Sequence, residues 1–365
     1  MQNRIHNFSA GPAVLPESVL LKAQKELLNF KNSGMSIMEM SHRSKLFESV
    51  VDDAVAGIRR ELNVPEDYAV LFLQGGATLQ FSMVPMNLYV QGQPVDFIQT
   101  GNWTQKAYKE LLKIGEARLV ANSEDTQFDR IPDMTKVQFN PNASYVYMCS
   151  NNTIYGTQFK AFPETGNVPL VADMSSDIFS RPLDISKFGL IFAGAQKNIG
   201  PSGVTLVIMR KELAARALEN KKLASMLVYQ NHIENNSLYN TCPTFGIYMI
   251  GLVMDWIKES GGVAQIQKQV EAKAKKLYDF IDNSDFYYGP AQVDSRSLMN
   301  IVYRIKDQNE VLEKEFVAGA EKAGLSGLKG HRLIGGLRAS LYNAQTMDGV
   351  DALIQFMKAF EQQHS

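Results

Sequence analysis

The stretch "GLIFAGAQKNIGPSGVTLVIMR", residues 189–210, holds the key to the fold and to the chemistry placed on it. Two apolar runs, Leu190–Ala193 and Val204–Met209, flank a segment of small residues, and Lys197 is the one charged side chain between them. Continuous rather than alternating hydrophobicity marks strands covered on both faces, as in a mostly parallel sheet. Upstream, the same kind of short apolar run recurs at Ala69–Gln74, Val95–Gln99, Ala117–Ala121, Tyr145–Cys149 and Val168–Asp173, with helical stretches between. Seven such strands alternating with helices predict an α/β domain, a mostly parallel sheet with helices on both sides.

Two helices precede the strands. One follows Pro16, has its apolar side at Leu20, Leu21, Leu27, Leu28 and Phe30, and stops at Gly34. The second begins near Ser44 and carries Phe47, Val50, Val51, Val55, Ile58 and Leu62 at helical spacing. After about residue 244 the order changes. Two long helical patterns separated by Gly261-Gly262 lead to a strand "MNIVYRI", a helix at Val311–Ala323, a strand near "GLRASLY" and a closing helix to Phe360. This predicts a large domain over 16–262 and a smaller α+β domain made of 1–15 and 263–365.

Composition narrows the function. At 365 residues with 45% hydrophobic and 21% charged residues, the chain has material for a large core. A net charge of -1 lacks the basic field that nucleic acids or anionic membranes attract, so neither is an expected partner. Cys149 and Cys242 are the whole cysteine complement, which excludes a disulfide framework and a Cys-rich metal site. The opening residues show no basic-then-apolar leader pattern and no apolar run is long enough to span a bilayer, so a cytoplasmic setting is expected.

In open α/β sheets, ligands bind beyond the carboxyl ends of the strands. The residues there are Gln74-Gly75-Gly76-Ala77-Thr78, Gly101-Asn102-Trp103-Thr104, Ser150-Asn151-Asn152-Thr153, Asp173-Met174-Ser175-Ser176 and Gln196-Lys197. Each has an ordinary reading. The glycine pair suits a tight strand-to-helix turn as well as a phosphate at a helix start; GxGxxG and the P-loop pattern are both absent. Asp173 suits a helix cap, Trp103 a packing residue, and Lys197 a solvated turn. Together, however, a carboxylate, an aromatic plate, a phosphate-binding helix start and a solitary lysine are the parts that hold pyridoxal phosphate. The lysine joins the aldehyde as a Schiff base, and the aspartate keeps the pyridinium nitrogen protonated. A second amine nearby would compete for the aldehyde, and Gly194 and Ala195 read as clearance for the flat ring.

Ordered blocks along nearly the whole chain carry a family resemblance: "NFSAGPA" (7–13), "MEMSHRS" (38–44), "LQGGATLQF" (73–81), "TGNWTQKA" (100–107), "SNNTIYGTQF" (150–159), "VADMSSDIFSRP" (171–182), "AGAQKNIGPSGV" (193–204), "YNTCPTF" (239–245) and "GHRLIGGLRASLYNA" (330–344). With these the chain resembles the phosphoserine aminotransferase family of class V pyridoxal-phosphate enzymes, fold type I. The resemblance implies that Lys197 is the Schiff-base lysine and proton shuttle, that Asp173 pairs with the ring nitrogen, and that Trp103 stacks on the ring. It implies Thr153 near the ring hydroxyl, with Ala77, Thr78 and Gln196 on the cofactor phosphate. Asn240 and Thr241 would reach that phosphate from a partner subunit, so a homodimer with shared active sites is implied. Some members have arginine at the position of Thr78, and proline is common where Cys242 stands.

The resemblance also sets the substrate. His42-Arg43 and His331-Arg332 pair histidine with arginine, and Arg338 follows the second pair. By themselves, Arg43 could cap or salt-bridge the helix that follows it, and His331-Arg332 could sit in a solvated loop. In the family's arrangement these four grip a substrate phosphate, Arg338 forks the α-carboxylate, and Ser9 assists. The implied substrates are L-glutamate and 3-phosphohydroxypyruvate. The alternatives are another class V aminotransferase of alanine- or serine–glyoxylate type, a cysteine-dependent desulfurase, or a non-catalytic phosphometabolite-binding protein on the same fold.

Overall fold

The apolar runs become strands β1 (Tyr68–Leu73), β2 (Val95–Gln99), β3 (Ala117–Asn122), β4 (Val146–Cys149), β5 (Leu170–Asp173), β6 (Phe188–Gly194) and β7 (Thr205–Arg210). They are seen in a computed structural model that describes residues 4–219 and 223–364. One seven-stranded sheet results, in the order β1-β7-β6-β5-β4-β2-β3. Strand β7 is antiparallel to β1 and β6, and every other pairing is parallel. The reason lies in the opening stretch. Between β6 and β7 run only the residues Ala195–Val204, fewer than the roughly dozen a parallel crossover needs. The chain therefore reverses there, and Lys197 rides on the reversal.

The strands are buried as expected, except one. β3 lies at the sheet edge beside β2 alone, and Leu119 on it is 43% exposed.

Helices α1 (Glu17–Glu26), α2 (Lys45–Leu62), α3 (Gly76–Leu88), α4 (Asn102–Leu111) and α5 (Thr244–Glu259) belong with this sheet. The first stops short of Gly34, because Lys31 and Asn32 take left-handed φ values of 48° and 60° around a single turn that buries Phe30. α2 starts where the sequence places it: Ser44 Oγ accepts the Phe47 N–H at 3.2 Å, a cap worth about 1 kcal/mol. Its apolar face packs on α5. At Gly57 a side chain is excluded, since an added Cβ would lie 2.6 Å from Met254 Cβ.

A second core forms from the end of the chain. α6 (Val263–Asp282), β8 (Asn300–Ile305), α7 (Glu310–Lys322), β9 (Leu337–Ser340) and α8 (Met347–His364) enclose Tyr303, Phe316, Leu353 and Met357. Tyr287–Tyr288, β8 and β9 make a three-stranded antiparallel sheet. The amino-terminal residues join this core, because His6–Asn7 pairs in parallel with Leu325–Ser326 and Phe8 is fully buried there. α6 spans both cores: Val263, Ile266 and Val270 pack in the first, Ala274, Leu277 and Ile281 in the second. Among the described residues, no helix is long and apolar enough to cross a membrane.

Candidate active site

The carboxyl ends of β1, β2, β4, β5 and β6 share one edge of the sheet, and the residues following them enclose a cavity of ≈ 340 Å³. Ala77, Thr78, Trp103, Thr153, Asp173, Gln196 and Lys197 all line it. Separate stretches of sequence thus arrive together because strand direction puts their ends together.

Each side chain is held by local structure. Gly75 and Gly76 take left-handed φ values of 86° and 65° to turn β1 into α3. An added Cβ would strike Leu79 from Gly75 but meet nothing within 4 Å from Gly76. The first-turn N–H groups of α3, at the cavity wall, have no intrahelical acceptor and form a positive helix end. Trp103 is set by the start of α4. There, Thr104 Oγ1 accepts from the N–H groups of Thr100 and Gly101, both at 3.0 Å, and donates to the Gly101 carbonyl at 2.7 Å. The indole Nε1 is buried without a partner, and Lys106 Nζ lies 4.6 Å from the ring centroid.

Asp173 ends β5 at 4% exposure, accepting the Ser175 N–H at 2.9 Å. Burial pushes its carboxyl above the usual range, while the Ser175 hydrogen bonds and the Lys197 charge pull it down. A second buried carboxylate, Asp177, adds to the upward push; it accepts from Ser150 Oγ and Gln158 Nε2 and faces Arg181 at 3.8 Å. Lys197 Nζ donates to Thr153 Oγ1 at 2.8 Å. Against the lysine stem lies Gly11, where an added Cβ would stand 3.3 Å from Lys197 Cγ. The Ala13 N–H donates to the Gln196 carbonyl at 2.8 Å, so the amino-terminal segment straps the lysine loop.

Two glycine-region expectations change. Gly194 gives room to the Gln196 amide, which would lie 2.6 Å from an added Cβ, and Ala195 is buried in the main core. Neither is clearance for a ring.

The anion-binding candidates divide. Arg338 and His331 line the cavity. Arg338 is 9% exposed, donates from Nη1 to the Thr153 carbonyl at 3.2 Å, and keeps a buried Nε without a partner. Burial, then Arg338 and Arg332, push the His331 imidazole below its usual pKa. Arg332 is exposed on an adjoining cavity that shares His331. Ser9, His42, Arg43, Asn240 and Thr241 are not in the cavity lining of this chain. Ser9 packs against Gly327; His42 has a buried Nε2 without a partner; Arg43 is exposed; the Asn240 amide donates to Gln74 Oε1 at 3.1 Å. Both cysteines are buried. Burial pushes the Cys149 thiol well above its usual pKa and that of Cys242 up to about 11.

Sequence reasoning gave no role to Asn151, Ser175 and Ser176, although they follow β4 and β5 and line the cavity. Ala10 and Gly11, in the "NFSAGPA" block, were given no role either; the pairing of His6–Asn7 with Leu325–Ser326 and the Ala13 bond to Gln196 bring them there.

Fold and site define a class, and comparison agrees: residues 5–353 match the model of the family "Aminotransferase class-V". The chain belongs to that family. A phosphoserine aminotransferase of Lysinibacillus sphaericus is 54% identical over 365 residues, covering 100% of both chains. The solved phosphoserine aminotransferase from Bacillus circulans subsp. alkalophilus superposes with a TM-score of 0.97 at 50% identity, covering 100% of both. The pyridoxal-phosphate-bound enzyme from Trichomonas vaginalis gives 0.91 at 37%, covering 97% of this chain and 100% of that one.

The donor set fits pyridoxal phosphate. A lysine amine, a buried carboxylate, an indole with an unpartnered N–H and free helix N–H groups surround a cavity of suitable size.

Proposed function

We propose that this chain is a pyridoxal-phosphate-dependent aminotransferase that moves the amino group of L-glutamate to 3-phosphohydroxypyruvate, giving O-phospho-L-serine and 2-oxoglutarate in serine biosynthesis. The observation that carries the chemistry is the pairing of the Lys197 amine with the buried Asp173 carboxylate in one cavity. The full-length likeness to phosphoserine aminotransferases at about 50% identity carries the substrate.

When bound, the cofactor supplies a cationic ring that draws electron density away from the amino-acid α-carbon. Asp173 would hold the ring N–H; burial raises its carboxyl pKa, and a cationic partner there favours the charged form. Trp103 would stack on the ring and exclude water, and Ala77, Thr78 and Gln196 would hold the cofactor phosphate. Lys197 Nζ removes the proton from the substrate α-carbon in one half-reaction and returns it there in the other. Thr153 Oγ1 orients that amine. Arg338 forks the α-carboxylate. His331 and Arg332 take the substrate phosphate or the glutamate side-chain carboxylate.

His42, Arg43, Asn240 and Thr241 complete these anion sites from a second copy, in a homodimer with shared active sites. Ser9 assists at the substrate edge. The large unit, 16–262, holds the cofactor and the small unit, 1–15 with 263–365, brings the substrate cations; the setting is cytoplasmic.

A coupled assay with glutamate and 3-phosphohydroxypyruvate should release 2-oxoglutarate with ping-pong kinetics, and borohydride should fix the cofactor to wild type but not to Lys197→Ala. Turnover of alanine or serine with glyoxylate, with no effect of O-phosphoserine, would instead support the alanine- or serine–glyoxylate type.

A further inference from the structure

One lysine outside the cavity is placed at odds with ordinary burial. Lys273, midway along α6, is 2% exposed and forms no ion pair among the described residues. A buried amine with no carboxylate beside it is held only by the groups it donates to, and removing it would leave those buried acceptors unpaired. Its three hydrogen-bonding directions are all used, and on one turn. Nζ donates to the carbonyls of Tyr342 at 2.9 Å, Asn343 at 3.2 Å and Gln345 at 2.7 Å. Burial pushes the amine down to about 7, with no charged neighbour contributing.

That turn bonds to two segments, the lysine loop and the amino-terminal strap against it. On one, the Asn343 N–H donates to Asn198 Oδ1 at 3.0 Å, and Asn343 Nδ2 donates to the Phe179 carbonyl at 3.0 Å. Asn198 is the residue after Lys197, and its own amide donates to the Ile178 carbonyl at 3.1 Å. On the other, Tyr342 Oη donates to the Ala10 carbonyl at 2.7 Å and accepts from Asn300 Nδ2 at 3.2 Å. Ala10 precedes Gly11, the residue pressed against the Lys197 stem.

We propose that Lys273 is a positioning residue for Lys197: its amine gathers the Tyr342–Gln345 turn, whose Asn343 and Tyr342 hold Asn198, next to the catalytic lysine, and Ala10, next to the Gly11 that presses on its stem. The inference rests on the reading of Lys197 as the catalytic amine. α6 spans both cores, so the same amine ties the lysine loop of the large sheet to the helix that links it to the small one.

The test compares Lys273→Met, Lys273→Arg and Tyr342→Phe with wild type, first by amide hydrogen exchange in cofactor-free protein. Lys273→Met should speed exchange about tenfold at Ala10–Ala13 and Asn198–Gly200, leaving α5 unchanged. In the loaded enzyme it should lower kcat about 10- to 100-fold with KM for glutamate within about twofold, the signature of a misplaced catalytic group. Lys273→Arg should restore part of kcat, and Tyr342→Phe should loosen Ala10–Ala13 alone. Unchanged exchange at both segments overturns the proposal, as does exchange that rises equally throughout the molecule. Should Lys273→Met fail to fold, Tyr342→Phe decides: wild-type exchange at Ala10–Ala13 then overturns it. Because exchange needs neither cofactor nor substrate, it stands apart from the substrate reading, which fails only if wild type does not turn over 3-phosphohydroxypyruvate.

Discussion

Two loops of this molecule place a cation among glycines, and they are built in opposite ways. The Ala195–Val204 loop is enclosed. The Ala195 N–H donates to Val204, the Ile199 and Gly200 N–H groups donate to Ala195, and the Gln196 carbonyl is held by Ala13. Asn198 and Ile199 within it are buried. The Gly330–Gly336 loop is open. It closes on itself through Gly330 to Gly336 and through Ile334 and Gly335 to His331, while Arg332 is exposed and Leu333 is 54% exposed. A group that moves a proton needs fixed geometry, and a group that grips a phosphate or a shorter carboxylate in turn needs latitude. The enclosed loop suits the proposed role of Lys197, and the open loop suits that of His331 and Arg332.

The comparison breaks most clearly at Lys197. Lys197→Ala should cost at least about 10²–10⁴-fold in kcat, since no other amine lines the cavity among the described residues. Residual turnover near wild type would move the chemistry elsewhere.

Asp173→Asn comes next, with kcat lower by roughly 10²–10³-fold and KM little changed. The neutral amide cannot stabilise a cationic ring nitrogen, so the cofactor absorbance should shift as well. A variant weakened in KM alone would reduce Asp173 to a helix cap.

On the open loop, Arg332→Ala should raise KM for 3-phosphohydroxypyruvate by about tenfold, the worth of one charged hydrogen bond. The effect on glutamate should be smaller and kcat should change little. A fall in kcat with KM intact would show that this loop also positions the reacting atoms.

The smallest effect is expected at the thiols. Burial raises both, and a thiol reacts only as thiolate, so the reactive fraction at pH 8 lies well below that of a free cysteine. Iodoacetamide at that pH should leave the folded protein unmodified and active. Rapid labelling with loss of activity would revive a cysteine-based reaction, which the burial of Cys149 and Cys242 argues against.

Local pattern made much of this legible. All of the apolar runs of the large sheet became strands, and Ser44 capped the helix it was expected to start. Lys197, Asp173, Trp103 and Thr153 met in one cavity because strand ends fall on one edge of such a sheet. The failures came from conformations and contacts that hydrophobic spacing does not encode. The edge exposure of β3 follows from its neighbours, and the early end of α1 from the left-handed Lys31 and Asn32 that bury Phe30. The clearance at Gly194 belongs to Gln196, a contact no spacing rule encodes.

The sequence by itself determined the sheet, the lysine on its reversal and the chemical types around it, because hydrophobic runs and short connections act over a few residues. Tertiary structure alone decided that Gly11 presses on Lys197, that Arg338 reaches Thr153, and that the buried Lys273 amine donates to the Tyr342, Asn343 and Gln345 carbonyls. Those contacts join residues far apart in the chain, and they exist only once two cores have packed against one helix.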